Sequence, residues 1–544
     1  MSRFSVCARG RTGPPVHVRR AAVPLDAMPL DADVIVIGAG AAGLTAAREL
    51  KQRGVARVLV LEAAGKVGGR VLHDSSLSQW PLELGPEFIH GECHNLLLDL
   101  LQQGLPNKPA ASLVELDYPN YYYFGKEGRL QHSAEADELP EVAAMHESFE
   151  KLSEPPEPGE PPRAEQSLLQ YFVASGVPSR AIDLADALYA NDYGAVASDV
   201  GLREVEAEQR AWRYGEKYLV LRGANLQDAM DALADGLDVR TGWAVTSVRW
   251  QGFTQPGAAR VEVSDARGRT LRAARLVVSV PLPALQRGAI GFEPPLPPPL
   301  SAAIGAVRMG NPKPKPNPNP KPKPNPNPDP NPDPHPHPNP SPDPNPNPNP
   351  NPNPNQVRMG NALKVILRLR RRFWPADFYD AVCADCFMPE VWLSPAAELM
   401  RPDAKPPFTI VGFVAGERAE RVADLAHAEI ARQTLLQLDA MFGTPAEPHP
   451  ASAACDGFLV KNWADQPHVG GAYSHPTLRA EGRRNGFAEP AGDAMWFAGE
   501  ATHEGINPCI HGAMETGQRA AAAVCASLED ERRRGGSRGP ASRL

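Results

Sequence analysis

No polar residue interrupts Val34-Ile35-Val36-Ile37, so both faces of that stretch must be buried, which predicts an interior parallel strand. Directly after it come Gly38, Gly40 and Gly43 in G-x-G-x-x-G spacing, leading into a helix-like AAGLTAAREL. A second apolar run, Val58-Leu59-Val60-Leu61, ends on Glu62. Each part has a physical job. The first glycine makes a tight turn, the second lets backbone approach a pyrophosphate, and the third lets helix pack on strand. The helix N-terminus attracts the phosphates. Glu62 would accept from the ribose hydroxyls of an adenine dinucleotide. Strand, glycines, helix, strand and acid in that order predict an NAD or FAD site rather than a bare glycine-rich turn.

From Asn311 to Asn355 the pattern changes to strict alternation of proline with Asn, Lys, Asp, His or Ser. No packed core is possible there, because proline removes donors and its neighbours are polar. An extended rod or coil is expected, reaching roughly 140 Å at about 3.1 Å per residue. The flanks repeat: Val307-Arg-Met-Gly-Asn311 recurs as Val357-Arg-Met-Gly-Asn361. Removing one copy with the tract leaves AIGAVRMGNALKVILRLRRRFWP, a continuous segment containing a strand. Residues 307–356 therefore read as a duplication-flanked insertion in a surface loop, or as a gene-model error. Asn-Pro repetition lacks the P-x-x-P chemistry of a proline-rich ligand.

Composition narrows the classes. The 544 residues, 42% of them hydrophobic, can bury a large core and suit two domains. A net charge of −8 without a clustered basic face argues against nucleic acid as a partner. No run of about 18 apolar residues is present to span a membrane. The seven cysteines are scattered, which suits reduced thiols. Cys383-Ala-Asp-Cys386 lacks a second pair or a paired histidine, so no metal site is expected. Residues 1–32 read as a leader or transit-like segment, with five arginines and no acid before Asp26, and Met28 is an alternative start. Residues 529–544 read as a flexible basic tail ending in Ser542-Arg543-Leu544, similar to the S-K-L peroxisomal address. The two signals conflict. The C-terminal one is preferred, giving a peroxisomal expectation with an import receptor as partner, and cytoplasm or plastid as alternatives.

Further motifs carry a family resemblance. They are Gly68-Gly69-Arg70, Glu83-Leu-Gly-Pro-Glu-Phe-Ile-His-Gly91, Leu221-Arg-Gly-Ala-Asn-Leu226 with Val239 to Trp250, and Leu276 to Leu285. Lys364 precedes Phe373-Trp374-Pro375; Trp463, Gly471-Ala-Tyr473, Trp496 to Thr502 and His511-Gly512-Ala513 follow. This pattern resembles the flavin-containing amine oxidases, which include polyamine oxidases, monoamine oxidases and lysine-specific histone demethylases. It covers nearly everything from 33 to 528 apart from the proline tract. The resemblance implies an α/β chain with a Rossmann-like FAD-binding domain, a doubly wound parallel sheet, from 33–100, 215–300 and 457–528. An interleaved α+β substrate-binding domain would come from 101–214 and 357–456.

Residue roles follow from the same resemblance. FAD would be held by Gly38, Gly40, Gly43, Glu62, Gly69, Arg70, Val245, Glu500 and Thr502. The glycine loops accommodate pyrophosphate and Arg70 adds charge beside it. Val245 would offer backbone to the adenine, and Glu500 would accept from ribityl hydroxyls. Ala472 occupies the place of the cysteine that anchors flavin covalently in monoamine oxidases, so FAD is expected to be noncovalent. The implied reaction oxidises a carbon–nitrogen bond to an imine that water hydrolyses, with O2 reduced to H2O2 and the cofactor carrying the redox chemistry. Lys364 would hold a water against the flavin, its pKa lowered by burial. Tyr473 matches one wall of the aromatic cage that aligns the amine. The opposite aromatic is absent, with Ile506 and Asn507 standing there. His90 and Glu87 are candidates at the channel, the carboxylate suiting a polyamine's distal ammonium. Two alternatives stay open: an amino acid or nonamine substrate on the same scaffold, and a flavin binder with little catalysis.

Overall fold

The computed structural model describes residues 25–105, 111–155, 161–252, 257–305, 358–475, 477–478, 483–506 and 508–536. The insertion read at 307–356 lies outside them, as do residues 1–24 and the Ser542-Arg543-Leu544 terminus.

The first strand, Ala32–Ile37, pairs in parallel with Val58–Leu61 on one side and Thr270–Val278 on the other. Its alternate residues enter two different cores, which explains why the run is apolar throughout. Val34 and Val36 join one cluster with Val60, Leu44 and Leu50, while Ile35 and Ile37 join another with Leu59, Leu61 and Val278. The sheet grows to eight strands by adding Asp238–Arg240 at one edge. Val261–Asp265, Val245–Trp250 and Gly291–Glu293 extend it on the other side, and Met495–Phe497 pairs beside Thr270–Val278. Helix Ala41–Gln52 covers one face together with the 27-residue helix Ile510–Gly536. This is the Rossmann-like arrangement expected from the glycine motif.

A second sheet has seven strands in the order Cys455–Asn462, Ala362–Leu369, Phe408–Ala415, Glu390–Leu393, Asp380–Ala384, Tyr121–Phe124 and Arg129–His132. Helix His427–Phe442 packs on it through Ile430, Ala431 and Leu438. Helices Pro140–Glu150, Leu168–Ala174, Ser179–Ala185 and Leu202–Ala211 lie between the two sheets' strands in sequence, with one π-helical turn over Asp186–Ala190. A smaller sheet joins Ile89–His90 and Ser112–Leu116 to Tyr218–Arg222. The second part is therefore α+β, interleaved in sequence with the first.

Two boundaries differ from the sequence reading. Strand Cys455–Asn462 pairs with Ala362–Leu369 from end to end, past the boundary expected at 457. The last helix runs to Gly536, so residues 529–536 are helical where a flexible tail was expected. The reason is Glu531, buried and bonded to Arg260 at 2.8 Å and Arg275 at 2.6 Å. Two buried guanidiniums require that carboxylate, and it holds the last turns in place. Among the described residues no helix is long and apolar enough to cross a membrane.

Candidate active site

At the end of the first strand Gly38 turns the chain with φ +103°. A Cβ on Gly43 would lie 2.0 Å from the Gly38 carbonyl oxygen, so the third glycine serves packing of helix on turn and does not line the cavity. Gly40 is the helix N-cap and offers no side-chain cap, leaving the first-turn N–H groups without that partner. Gly40 bridges Gly68 in parallel, and a Cβ on Gly69 would come 3.4 Å from the Gly40 Cα. These glycines form a groove of bare backbone facing a cavity of about 1040 Å³. Glu62 and Val245 line the same cavity. The Glu62 carboxylate accepts from Ala39 N at 2.7 Å and from Ala64 N at 2.8 Å, which fixes it with lone pairs to spare. Uncapped helix donors, bare backbone and a fixed acid fit a dinucleotide.

Arg70 and Glu500 are joined. Arg70 Nη1 donates to Glu500 Oε1 at 2.8 Å and to the Ala472 carbonyl at 2.7 Å. The Ser474 hydroxyl donates to the other Glu500 oxygen. Burial alone would raise the Glu500 pKa, yet Arg70, Ser474 and Arg484 hold it below the usual carboxylate range. Much of the Arg70 charge is thus spent on Glu500 before any phosphate arrives. Thr502 stands behind the wall: it is fully buried, its hydroxyl donating to Gly499 O at 2.9 Å and accepting from Arg519 at 2.8 Å. It braces the turn that carries Glu500 and has no contact with the cavity.

Lys364 projects from the doubly paired strand Ala362–Leu369 into the same cavity. Its Nζ donates to Gly85 O at 2.7 Å and Glu83 O at 3.0 Å, and lies 3.7 Å from Glu87 Oε2 and 5.0 Å from the Trp392 ring centre. Burial lowers the ammonium's pKa, while Glu87 and Glu83 oppose it. Trp392 Nε1 donates to Glu87 at 2.8 Å, so the acid expected at the channel is held from two sides. His90 meets Tyr218 edge-on at 4.8 Å, and burial pushes its pKa down to about 4, leaving it neutral. Tyr473 fits against Gly194, where a Cβ would lie 2.5 Å from the ring. Lys364, Tyr473, His90 and Glu87 line the cavity that the glycine groove opens into.

The sequence model of flavin containing amine oxidoreductases matches residues 41–313 and 333–525. The chain belongs to this family. Membership of this family implies a flavin cofactor, and the bare backbone at Gly40 and Gly69 has room for a dinucleotide. Polyamine oxidase 2 of Arabidopsis thaliana is 26% identical over 90% of this chain and 87% of that protein. Lysine-specific histone demethylase 1B of Mus musculus is 23% identical over 91% of this chain, which spans only 53% of the mouse protein. In fold, the chain is similar to cyclohexylamine oxidase from Brevibacterium oxydans IH-35A, with a TM-score of 0.67, 20% identity, and coverage of 92% of this chain and all of that one. A putrescine oxidase bound to putrescine gives a TM-score of 0.66 at 18% identity, covering 91% and 99% of the two chains.

In this amine oxidoreductase the missing aromatic wall is not rebuilt where it was expected. Ile506 is buried with its N–H bonded to His503 Nδ1 at 3.1 Å, and Asn507 lies outside the described residues. Pro508, Cys509 and Ile510 line the cavity instead. Aromatic surface comes from elsewhere: Tyr118 and Tyr218 stack at 4.7 Å with 23° between their planes, and both line the cavity. Asp192 and Glu390 stand in the same wall. Sequence reasoning missed all four. Glu390 left one signal, an acid on the same strand face as Trp392 inside an otherwise apolar Glu390–Leu393. Asp192 left none, since it follows a π-helical turn that no periodicity marks.

Proposed function

We propose that the chain binds FAD noncovalently and oxidises a polyamine-type amine. A secondary amine, O2 and one water become an aldehyde, the released primary amine and H2O2. The observation that carries this reading is one continuous cavity joining the glycine groove, Lys364 and a wall of tyrosines and carboxylates. The bound flavin would supply the acceptor for the hydride leaving the carbon next to nitrogen. This chain's residues do the rest. The Gly40 helix start and Glu62 bind the dinucleotide, while Lys364, held by two carbonyls, orients a water in the cavity. Neutral His90 and the ring of Tyr473 shape the amine's approach without adding charge. Burial pushes the Cys509 thiol well up, which makes it a poor nucleophile toward a flavin and supports noncovalent binding. The names of relatives and structural neighbours, polyamine oxidase and putrescine oxidase among them, point the same way.

The test uses the purified full chain. Acid precipitation should release the flavin into the supernatant. Peroxide release is then screened with spermine, spermidine, N-acetylated polyamines, amino acids and a methylated lysine peptide. Turnover of a polyamine, falling about 100-fold or more in Lys364→Met with flavin retained, is the expected result. Turnover of amino acids alone, or of the peptide alone, would replace this reading, and flavin without any turnover would end it.

A further inference from the structure

His503 holds a tight turn between two elements that line the cavity. Its Nδ1 accepts from the backbone N–H groups of Gly505 and Ile506, both at 3.1 Å. That double acceptance places the ring proton on Nε2, which donates to Glu515 Oε2 at 3.2 Å. The turn is wedged on both sides. A Cβ on Gly505 would lie 2.7 Å from the Ala211 Cβ, and a Cβ on Gly512 would lie 3.1 Å from the Ile506 carbonyl oxygen. Ala211 ends helix Leu202–Ala211 directly before Trp212, and Gly512 lies in the first turn of helix Ile510–Gly536. Trp212 on one side, with Ile510, His511 and Ala513 on the other, lines the cavity, while the His503 ring stands behind that wall.

The charged groups around the ring leave one proton-dependent contact. Although burial acts to raise it, bonds from His503 and Tyr214 hold the Glu515 pKa down to about 2, so it stays a carboxylate. Arg213 lies 3.3 Å from the same Glu515 oxygen as His503, and Tyr214 donates to the other at 2.6 Å. Burial, with His90 behind it, lowers His511 to about 3, which keeps that ring neutral. Glu504 is on the turn itself. A second proton on His503 would change Nδ1 from an acceptor into a donor facing two N–H groups, so the turn cannot keep its bonds to an imidazolium. Glu515 would meanwhile hold that cation where it stands.

We propose that His503 is a positioning residue: its neutral ring pins the Gly505–Ile506 turn, which sets the spacing between the Trp212 and His511 sides of the cavity, and its protonation releases them. The link to amine binding rests on the amine-oxidase reading, but the turn can be tested apart from turnover. Hydrogen-exchange mass spectrometry of the flavin-loaded full chain follows peptides carrying the Gly505 and Ile506 amides, with rates corrected for the intrinsic effect of pH. In the wild type, exchange there should quicken by about tenfold or more between about pH 7.5 and 5.5. His503→Ala should exchange at least about tenfold faster than wild type already at about pH 7.5. His503→Asn should stay protected at both. Residue 503 is extended (φ −92°, ψ 136°), and an asparagine oxygen there accepts from the N–H groups two and three residues on without titrating. In turnover, KM for the amine should rise about tenfold in His503→Ala with kcat within about threefold, and His503→Asn should restore it. Wild-type protection in His503→Ala, or an acid response that survives in His503→Asn, would overturn the positioning role. An unchanged KM beside the predicted exchange would overturn its link to the cavity. If exchange follows the prediction while no amine is oxidised, the activity reading fails and the pinning of the turn stands.

Discussion

Glu83 contributes to the site through two different atoms. Its carbonyl holds Lys364, and its buried carboxyl accepts from the Leu226 N–H at 2.6 Å, while the second carboxyl oxygen has no hydrogen-bond partner among the described residues. Burial raises this carboxyl to about 8, with Glu87 adding to the shift and Lys364 opposing it. The folded chain therefore keeps a proton that the unfolded chain loses near its ordinary value of 4.5. Stability from this group is complete below that value and is lost as pH climbs toward 8. Glu83→Gln removes the titration and retains an oxygen for Leu226. The variant's melting temperature should match wild type at about pH 5 and exceed it by at least about 2 °C at pH 8.5. Parallel melting curves across that range would show that Glu83 is not the titrating group. None of this was legible in the sequence. The motif around Gly85 and His90 marks Glu83 as part of a site, but its protonation depends on a helix start far along the chain.

Elements differ in the same way in what spacing can reveal. The run Val34 to Ile37 and its three glycines were readable because every requirement falls within a dozen neighbouring positions. Gly517 was not, although it is as constrained. A Cβ there would lie 2.3 Å from the Ala42 carbonyl oxygen and 3.0 Å from Ala46 N, so helix Ile510–Gly536 touches the backbone of helix Ala41–Gln52. That first helix carries the uncapped N-terminus at Gly40 on which the dinucleotide would sit. Gly517→Ala must push the two helices apart, because the obstacle is backbone and cannot swing aside. Flavin affinity should fall by about tenfold or more, with destabilisation of roughly 1–3 kcal/mol in chemical denaturation. Unchanged flavin retention would mean that the groove tolerates displacement of its helix. A distant partner also decides the chain's end, where a basic run suggested a loose tail but Glu531 anchors a helix to Arg260 and Arg275.

Across the whole molecule, the glycine groove and the Glu87, His90, Lys364 and Tyr473 positions of the cavity were legible, and the rest of its wall was not. Gly38 to Glu62 lie on one continuous stretch, whereas Tyr118, Asp192, Tyr218 and Glu390 come from separate elements that only folding brings together. The proline tract falls between these two kinds of information. Its sequence repeat suggested an insertion, and the family's sequence model is interrupted at 314–332, inside it. The structure adds what stands on either side. Helix Pro298–Gly305 ends before the tract, and strand Arg358–Gly360 after it pairs with Tyr473–His475, setting Gly360 opposite Tyr473 in the cavity wall. That strand comes from the second copy of the repeat, while the first copy lies outside the described residues. Deleting 307–356 preserves Val357 to Asn361 and shortens a connection whose closure costs entropy only logarithmically in its length. The shortened chain should keep its flavin content, melt within about 2 °C of the full chain and oxidise its amine within about threefold of the full rate. Deleting 307–361 removes both copies, and with them the partner of Tyr473–His475; flavin content and turnover should then collapse. Equal damage from the two deletions would assign the tract a structural role, and equal tolerance would show that Tyr473 does not depend on its strand partner.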